Sequence, residues 1–458
     1  MIKKFIEKVE KVFSRRRPRE TGVMPTRVAK SQHHINRDDI TDAALKTCEG
    51  LQRAGFKAFV VGGAVRDLLL QRHPKDFDIA TDATPEEVRG VFRRSRIIGR
   101  RFRLVHVMFG PETIEVSTFR SAHDAKDSVD NASTDEHGRL LRDNVYGSQA
   151  DDAIRRDFTM NALFYDPETE EVWDYTNGVS DIVKKRVVMI GDPEARYRED
   201  PVRMLRAARL AGKLGFNIDA PTKAPIAELK LLLTNVPEAR LFDEMQKLLF
   251  SGHALECITM LRSLGLHSLL LPSLDELLHN PASSPFATLA LKRTDARILD
   301  DRGVSPAFLY AALFWYPMNM RSTDLMASGE RPLAALHQAM DDVLDTQRKT
   351  LAIPRRFDGS IKELWLAQPR FLFQSKAKAY RLLTHPRFRA CYDFFALRAE
   401  AGDADIDIAH WWEKFQFADE NTREEMLLPD NEPKKKRRRR KKTTIDGAAE
   451  MPTSDDAI

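Results

Sequence analysis

Cysteine is scarce in this sequence, with only Cys48, Cys257 and Cys391 among 458 residues. The three lie far apart and form no CxxC pair, so the sequence indicates neither a disulfide framework nor a zinc site. The N-terminus also lacks the continuous apolar segment of a secretory signal. These absences favour a reducing compartment, and we expect a cytoplasmic protein.

Long apolar runs are missing as well. The longest strongly apolar run after the first predicted strand is AFLYAALFWY (307–316). It is too short for a bilayer, which needs roughly 20 residues, so we predict a buried helix. Hydrophobic residues make up 42% of the chain and charged residues 31%, which is typical of a soluble protein with a sizeable core. The length suggests several domains.

The net charge of +5 conceals an uneven distribution. The first 20 residues contribute +5 and a basic run near the C-terminus contributes +9, so subtracting both leaves −9 for the rest of the chain. Cationic ends attract polyanions such as RNA or anionic lipid, although a basic run can also serve solubility or targeting. The predicted RNA-binding run consists of Lys434, Lys435, Lys436, Arg437, Arg438, Arg439, Arg440, Lys441 and Lys442.

The pattern along the chain predicts five regions. Residues 1–37 form a basic extension and linker, whose amphipathic residues 1–15 would lie on a membrane surface or pack on the protein's own body. Residues 38–190 mix helices with β-rich segments and contain a polar stretch of about 28 residues between Ser121 and Ser148. Helical periodicity dominates residues 191–275 and 276–418, and the composition of residues 419–458 predicts disorder.

Two aspartates, Asp76 and Asp78, stand two residues apart in DFDIAT. On an extended strand such residues point to the same face, where two carboxylates repel each other unless a cation lies between them. Mg²⁺ prefers oxygen ligands and substrate phosphates, and two such ions can hold both oxygens of a phosphoryl displacement. A solvated turn with incidental charges is the alternative interpretation.

A glycine turn precedes this pair. Gly62 and Gly63 follow an apolar strand and open the helix AVRDLLL, an arrangement that lets backbone amides approach a phosphate. Arg66 can donate two hydrogen bonds to phosphate oxygens, and Asp67 can orient its guanidinium group. Turn and aspartates together predict a site for nucleotide and metal.

Other charged residues extend this constellation. Glu115 lies mid-strand in TIEVSTFR and is either a third metal ligand or an outward-facing strand residue. Arg120, at the end of that strand, is a candidate contact for phosphate or RNA. Asp157, which follows Arg155 and Arg156, is either an arginine partner or a nucleotide contact.

A helix with two faces is predicted in YREDPVRMLRAARLAGKLGF. Its apolar stripe contains Met204, Ala207, Ala208, Ala211 and Leu214. Arginines recur on another face at Arg203, Arg206 and Arg209, and Glu199 and Asp200 are placed to pair with Arg203. The helix is therefore a salt-bridged solvated helix or a template that presents carboxylate and guanidinium groups to the edge of a base.

These motifs together resemble the class II nucleotidyltransferases of the polymerase-β superfamily, which comprise the tRNA CCA-adding enzymes and the bacterial poly(A) polymerases. The resemblance implies an α+β fold, with a nucleotidyltransferase head built on a mixed β-sheet followed by an all-α neck and body. It implies metal binding by Asp76 and Asp78, with Glu115 and Asp157 as supporting catalytic carboxylates.

The resemblance also implies a set of substrate contacts. Triphosphate binding is implied for the glycine turn, and base reading for the EDxxR motif. The implied nucleotide-binding residues are Gly62, Gly63, Arg66, Asp67, Arg156, Glu199, Asp200, Arg203 and Arg206.

The segment RIIGRRFRLVHVMFG (96–110) resembles the poly(A) polymerase branch, and its Arg100 and Arg101 join Arg120 as candidate RNA contacts. No downstream H…HD…D signature of some CCA-adding enzymes follows, since the one His-Asp dipeptide is His123-Asp124. We therefore expect transfer of AMP from ATP to RNA 3′-hydroxyls with two Mg²⁺ ions. A CCA-adding enzyme and a non-catalytic RNA-binding adaptor are the alternatives.

The resemblance further implies a monomer of the bacterial cytoplasm whose main partner is RNA. An RNA helicase, an RNA-decay complex and an Sm-like RNA chaperone are the implied protein partners.

Overall fold

The computed structural model describes residues 23–99, 103–121, 146–270, 278, 280, 284–350 and 353–429. Several predictions fall outside these ranges: the amphipathic residues 1–15, Arg100 and Arg101, most of the polar stretch after Ser121, and the basic run 434–442.

The head is built on one eight-stranded sheet with the order β1-β8-β7-β2-β3-β6-β5-β4. Strands β3 and β6 are parallel and the other neighbours are antiparallel, so the predicted mixed sheet is confirmed. The strands are β1 (Thr26–Val28), β2 (Ala58–Val61), β3 (Asp78–Thr81), β4 (Ser95–Ile98), β5 (Leu104–Phe109), β6 (Glu112–Thr118), β7 (Leu163–Asp166) and β8 (Glu171–Asp174).

Strand β1 corrects the predicted linker. It pairs antiparallel with β8 through Arg27 and Trp173, so residues 26–28 belong to the head sheet. The guanidinium of Arg27 lies 4.2 Å from the centre of the Trp173 ring. Composition alone could not show this strand because a three-residue edge strand needs little apolar sequence.

Helices cover the sheet and connect its strands. The strand β2 at its centre is buried along its whole length, as its apolar sequence predicts. Helix capping follows the sequence: Thr84 and Glu87 form a capping box at the start of the helix Pro85–Val91. The head helices are α1 (Asp42–Arg53), α2 (Gly63–Leu69), α3 (Pro85–Val91), α4 (Gln149–Arg155) and α5 (Gly178–Val183).

The neck begins where the sheet ends. A two-stranded parallel pair, β9 (Arg186–Val187) and β10 (Asn217–Ile218), joins the last head segment to the neck. The predicted apolar stripe from Met204 to Leu214 is buried, which confirms this face of the helix. The neck helices are α6 (Pro193–Glu199), α7 (Val202–Leu214), α8 (Ala220–Lys223), α9 (Ile226–Leu229), α10 (Glu238–Leu249) and α11 (Ala254–Ser263).

Two glycines shape α7. Gly215 takes a φ of 69° and ends the helix in the left-handed region that glycine favours. Gly212 lets α7 approach α11 closely, since a Cβ on Gly212 would lie 2.6 Å from the Cα of Cys257. The three cysteines are buried free thiols.

Helices joined by short connections make up the body in its described residues, and they pack around large aromatic side chains, among them Trp365, Phe371 and Trp412. The run 307–316 is buried but divides between two helices at Phe314. The body helices are α12 (Ser284–Leu299), α13 (Pro306–Leu313), α14 (Trp315–Ala327), α15 (Pro332–Thr350), α16 (Asp358–Ala367), α17 (Lys376–Leu383), α18 (Phe388–Glu400), α19 (Ile406–Phe417) and α20 (Glu420–Met426).

Helix α20 corrects the predicted start of the disordered tail. Asp419 accepts a hydrogen bond from the Thr422 amide as the helix cap, and the Leu428 amide donates to the Gln374 carbonyl. Residues 419–428 therefore extend the body. Among the described residues, none of the helices is both long and apolar enough to cross a membrane. Short 3₁₀ turns occupy Lys30–Gln32, Arg37–Asp39, Thr159–Asn161, Lys230–Asn235, His267–Leu269, Arg355–Phe357 and Gln368–Leu372.

Candidate active site

The glycine turn joins β2 to α2, as predicted. Gly62 takes a φ of 73° before the helix begins at Gly63. A Cβ on Gly62 would lie 3.3 Å from Nη1 of Arg156, so a larger residue would meet both backbone strain and this guanidinium. The Gly62 amide donates to the Leu163 carbonyl, which corrects the expectation that both glycine amides are available to a phosphate. The amide of Gly63 is the first of α2 and, like the first amides of any helix, has no carbonyl partner within that helix.

Arg66 is held rigidly behind this turn. Its Nε and Nη2 lie 2.8 and 2.7 Å from Oδ1 of Asp67, and its Nη1 donates to Oδ1 of Asn161 at 2.7 Å. The side chain is only 7% exposed. Asp67 therefore orients Arg66, as predicted. Asn161 was missed, although it belongs to the same RRDFTMNAL motif as Asp157.

The candidate catalytic carboxylates share one row of the sheet. Asp78 lies opposite Val61, the residue before the glycine turn, and on its other side opposite Glu115. Glu115 in turn lies opposite His106, whose Nε2 is 3.1 Å from Glu115 Oε1. Cross-strand partners point to one face, so the sheet gathers these groups beside the turn.

Asp76 lies just outside the strand that contains Asp78. It precedes β3, which begins at Asp78, and the buried Phe77 separates the two. Asp76 is exposed and belongs to irregular backbone. Phe77 and Ile79 both pack in the main apolar core, and the two exposed aspartates alternate with them along the chain, which is the pattern that the same-face prediction requires. Glu115 lies opposite Asp78 across the sheet.

The neighbouring carboxylates affect the proton affinity of Asp78. Burial, followed by the charges of Glu115 and Asp76, raises the pKa of Asp78 to about 6, although the guanidinium of Arg156 lowers it. Desolvation is the larger cause of this rise and the neighbouring acids add to it, so a divalent cation would offset their charge.

The donor set fits a hard cation in part. Asp76 and Asp78 offer carboxylate oxygens, the ligands that Mg²⁺ prefers. Across the described ranges, however, the structure contains no group of three or more His, Cys, Asp or Glu side chains that could hold a metal ion. Glu115 is engaged with His106 instead of completing a cage. The residues therefore fit an ion held by two aspartates, with water or substrate completing its coordination.

The RRD motif lies between head and neck. Arg156 donates to Oδ2 of Asp152 from Nε and Nη2, and its Nη1 donates to the Asn161 carbonyl. Asp157 forms an ion pair with Arg206 at 2.6 Å, so it is an arginine partner in this structure. Burial lowers the pKa of Arg206, but the charges of Asp157 and Glu244 together raise it by more. The pKa therefore lies above its usual value.

Arg120 lies beside this motif. Its backbone bridges to Tyr146, and its amide donates to Oδ1 of Asp152, the carboxylate that also holds Arg156. Asp152 thus connects the end of β6 to the RRD motif.

The EDxxR residues pair differently from the prediction. Glu199 accepts from Arg203 at 2.7 Å, as expected for an i,i+4 pair. Asp200 does not pair with Arg203, because both of its oxygens accept from Nη2 of Arg240 on α10, at 3.0 and 3.2 Å. Asp200 ends α6 in an extended conformation, and this turns its side chain toward α10.

Arg196 was not identified from the sequence. Its Nη1 donates to Glu199 at 2.7 Å, so Glu199 accepts from two guanidinium groups. Burial raises the pKa of Glu199, but Arg203 and Arg196 lower it more, which leaves it below its usual value. The EDxxR side chains are therefore braced by arginines from α6 and α10.

Comparison with known proteins identifies the family of this fold. A family model described as the poly(A) polymerase head domain matches residues 58–188. A model described as the probable RNA- and SrmB-binding site of polymerase A matches residues 215–278. A third, the arginine-rich C-terminus of polymerase A, matches residues 328–444.

Curated relatives agree. The chain is 45% identical over 411 residues to poly(A) polymerase I of Escherichia coli O6:H1, with 88% of each chain covered. It is 43% identical to poly(A) polymerase I of Haemophilus influenzae, with 87% of this chain and 90% of the relative covered. The match to a CCA-adding enzyme of Geobacillus sp. is 37% identical and covers only 58% of this chain and 61% of that enzyme.

Solved structures confirm the fold. A tRNA-processing enzyme in an apo form has a TM-score of 0.56 at 21% identity, covering 83% of this chain and 98% of that one. A tRNA nucleotidyltransferase complexed with a primer tRNA and an ATP analogue has a TM-score of 0.55 at 20% identity, covering 81% and 98%. By its long, highly similar matches, the chain belongs to the bacterial poly(A) polymerase I family.

Proposed function

We propose that this protein adds AMP from ATP to RNA 3′-hydroxyls without a template and releases pyrophosphate. The observation that carries the proposal is the row Val61, Asp78 and Glu115 across three strands. This row places Asp78, whose pKa is raised, beside the glycine turn at Gly62 and Gly63 that we propose to bind phosphate. The family relationship supports RNA as the acceptor.

Within this site each group has a distinct task. Arg66, oriented by Asp67 and Asn161, presents its remaining N–H groups to the triphosphate. A divalent metal ion held by Asp76 and Asp78 would lower the pKa of the RNA 3′-hydroxyl and stabilise charge on the reacting phosphate. Family members generally use ATP with a divalent metal. The identity and number of ions, two Mg²⁺ in our prediction, stay predictions.

Glu199, Asp200 and Arg203 are the proposed base readers. The Watson–Crick edge of adenine offers an amino donor beside a ring-nitrogen acceptor. A carboxylate accepts from the amino group and a guanidinium donates to the ring nitrogen, so the EDxxR motif matches this edge chemically. Because the protein itself supplies the complementary pattern, a nucleic acid template is unnecessary.

Further contacts remain predictions. The basic run 434–442 would raise RNA affinity without reading sequence, and its removal should reduce the salt dependence of RNA binding. An unchanged salt slope would refute that role. Several other expectations also stay predictions. They are the RNA contacts of Arg100, Arg101 and Arg120, the membrane contact of residues 1–15, the monomeric state, the cytoplasmic location, and the helicase, decay-complex and chaperone partners.

A primer-extension assay tests the proposal. Purified protein, Mg²⁺ and a 5′-labelled RNA are incubated with each nucleoside triphosphate singly and with ATP plus CTP. We expect a long ladder with ATP alone. A stop after two or three nucleotides that depends on CTP and a tRNA-like end would assign the chain to CCA addition instead. No extension under any condition would favour the RNA-binding adaptor.

A further inference from the structure

Arg196 connects two segments that handle opposite ends of the nucleotide in the proposed function. It lies in α6, and its side chain is only 17% exposed. Its Nη2 donates to the carbonyl oxygens of both Arg155 and Arg156 at 2.6 Å, while its Nη1 donates to Glu199 at 2.7 Å. One guanidinium thus joins the RRD backbone to the EDxxR motif.

On the neck side, the contacts form a closed network. Oε2 of Glu199 accepts from both Arg196 and Arg203, and Nη1 of Arg203 also donates to the Arg196 carbonyl. Burial, followed by the neighbouring charge of Arg203, lowers the pKa of Arg196, while Glu199 raises it. Two adjacent guanidinium groups therefore share one carboxylate, and Glu199 links the side chain of Arg196 to that of Arg203.

On the head side, the two carbonyls end α4 next to the nucleotide turn. The Arg156 guanidinium lies so near Gly62 that a Cβ there would be 3.3 Å from it. The same guanidinium lowers the pKa of Asp78 through its charge. The segment that Arg196 grips is therefore adjacent to the end of the site assigned to phosphate and metal.

The distance between the RRD segment and the EDxxR motif matters, because the hydrogen-bond pattern of the base alone cannot distinguish ATP from CTP. Adenine and cytosine both present an amino donor beside a ring-nitrogen acceptor on their Watson–Crick edges. Guanine and uracil present a carbonyl acceptor beside a ring N–H donor, and a site built for the first pattern leaves polar groups unpaired against them. A purine reaches farther from the ribose than a pyrimidine, so distance must distinguish adenine from cytosine.

We propose that Arg196 is a positioning residue that sets the spacing between the RRD segment and the base-reading residues and thereby favours ATP over CTP. This inference rests on the proposed function. Arginine suits the task because its planar fork reaches two carbonyls and a carboxylate in fixed directions. A lysine ammonium keeps the charge but cannot fix all three partners.

The test compares Arg196→Lys with Arg198→Lys in the full-length protein. Arg198, on the same helix, forms an exposed i,i+4 pair with Glu194 at 2.8 Å and is the matched control. Single-nucleotide addition to a labelled RNA gives kcat/KM for ATP, CTP and GTP. We expect Arg196→Lys to reduce the preference for ATP over CTP by about tenfold, with the preference for ATP over GTP retained within about threefold. Arg198→Lys should leave both ratios unchanged.

A double-mutant cycle separates positioning from general destabilisation. If Arg196 acts through Glu199, then Arg196→Lys and Glu199→Gln together should change the ATP-to-CTP ratio no more than the larger single change. The control pair, Arg198→Lys with Glu194→Gln, should leave the ratio unchanged. If Arg196→Lys does not fold, Arg196→Gln carries the same test, because its amide can still donate to one carbonyl.

Two results would overturn the inference: an ATP-to-CTP preference that stays within about twofold of the wild type, or equal losses in both ratios, which indicate only structural damage. These outcomes are distinct from failure of the proposed function. A wild-type protein that adds no AMP refutes the function, whereas wild-type polyadenylation with unaltered selectivity in Arg196→Lys refutes the inference alone.

Discussion

The carboxylates of the head and those of the neck are arranged in opposite ways. In the head, Asp78 faces other acids, and its pKa is raised to about 6 by burial and by the Glu115 and Asp76 charges. In the neck, the largely exposed Glu199 accepts from two arginines, which hold its pKa below the usual value against the opposing effect of desolvation. One site has too much negative charge, whereas the other is already compensated.

This difference separates two kinds of chemistry. In the proposed function, the excess negative charge in the head would accommodate a cation together with the substrate phosphates. Paired charges in the neck would hold the proposed base-reading side chains in fixed positions. Removal of a head carboxylate should therefore affect every nucleotide, whereas changes in the neck should affect the choice among them.

The largest expected effect comes from Asp78→Ala. We expect the rate of AMP addition to fall by at least about 10³-fold, because the candidate metal loses one of its two protein ligands. Incorporation of each other nucleotide should fall with it, while RNA binding, measured by filter retention, stays close to wild type. Asp39→Asn, in the exposed turn Arg37–Asp39, is the control. Full activity in Asp78→Ala would refute the metal assignment.

Glu199→Gln should have a smaller and more selective effect. Loss of the charge shared by Arg196 and Arg203 weakens two charge-assisted hydrogen bonds, so we expect the preference for ATP over CTP to fall by about 10-fold. Kinetics with each nucleotide give this ratio, and Glu194→Gln on the exposed side of α6 is the control. If Glu199→Gln instead reduced the rate with every nucleotide as much as Asp78→Ala does, the proposed separation of catalysis in the head from base selection in the neck would be wrong.

Asp157→Asn should reduce stability. The Asp157–Arg206 pair joins head to neck, with side chains 11% and 38% exposed. Because Arg206 is partly solvated, we expect a loss of about 1–2 kcal/mol in the free energy of unfolding, below the range for fully buried pairs. Denaturant unfolding measures it, and the Glu194→Gln control should change by less than about 0.5 kcal/mol. An unchanged midpoint would show that this pair contributes nothing to the joint.

Asp295 offers a comparison with Asp78, because its pKa is also raised although it lies in the body, outside the candidate site. Burial raises the pKa to about 6, despite the hydrogen bond from the Ala254 amide that lowers it, and Glu256 adds to the rise. A carboxyl with a raised native pKa stabilises the fold below its unfolded pKa, and this contribution is lost as the pH rises through about 6.

Asp295→Asn should therefore be more stable than wild type at pH 8 by about 1 kcal/mol, with this advantage shrinking toward pH 4. Thermal unfolding at both pH values measures the change, and Asp300→Asn, at the exposed end of α12, is the control. Activity should not change. An advantage equal at both pH values would contradict the assigned cause, and lost activity would link this carboxyl to the site.

Much of the fold was predictable because its signals are local. The apolar strand before Gly62, the alternating pattern around Glu115 and the helical stripe from Met204 to Leu214 appear as expected. The errors occur where sequence carries little information. The edge strand at residues 26–28 and the helix after Asp419 are both short and polar, and tertiary contacts stabilise them.

The candidate site was predictable in its residue types but not in its partners. Asp67 does orient Arg66, and Glu199 does pair with Arg203. By contrast, Asp200 pairs with Arg240, forty residues away, and Glu115 pairs with His106 across a hairpin. Sequence separation hides such pairs because helical spacing predicts only partners three or four residues apart.

The sequence by itself determined most of the elements and the chemistry of the side chains: paired aspartates, a glycine turn before a helix, and two acids followed by arginines around the start of α7. These follow from residue type and local backbone preference. Only the tertiary structure decided which charges remain uncompensated. Strand register places Asp78 beside Glu115, and the packing of α6 against the end of α4 places Arg196 between the RRD carbonyls and Glu199. The physical reason is that electrostatic compensation depends on distance in space, which the chain acquires only when it folds.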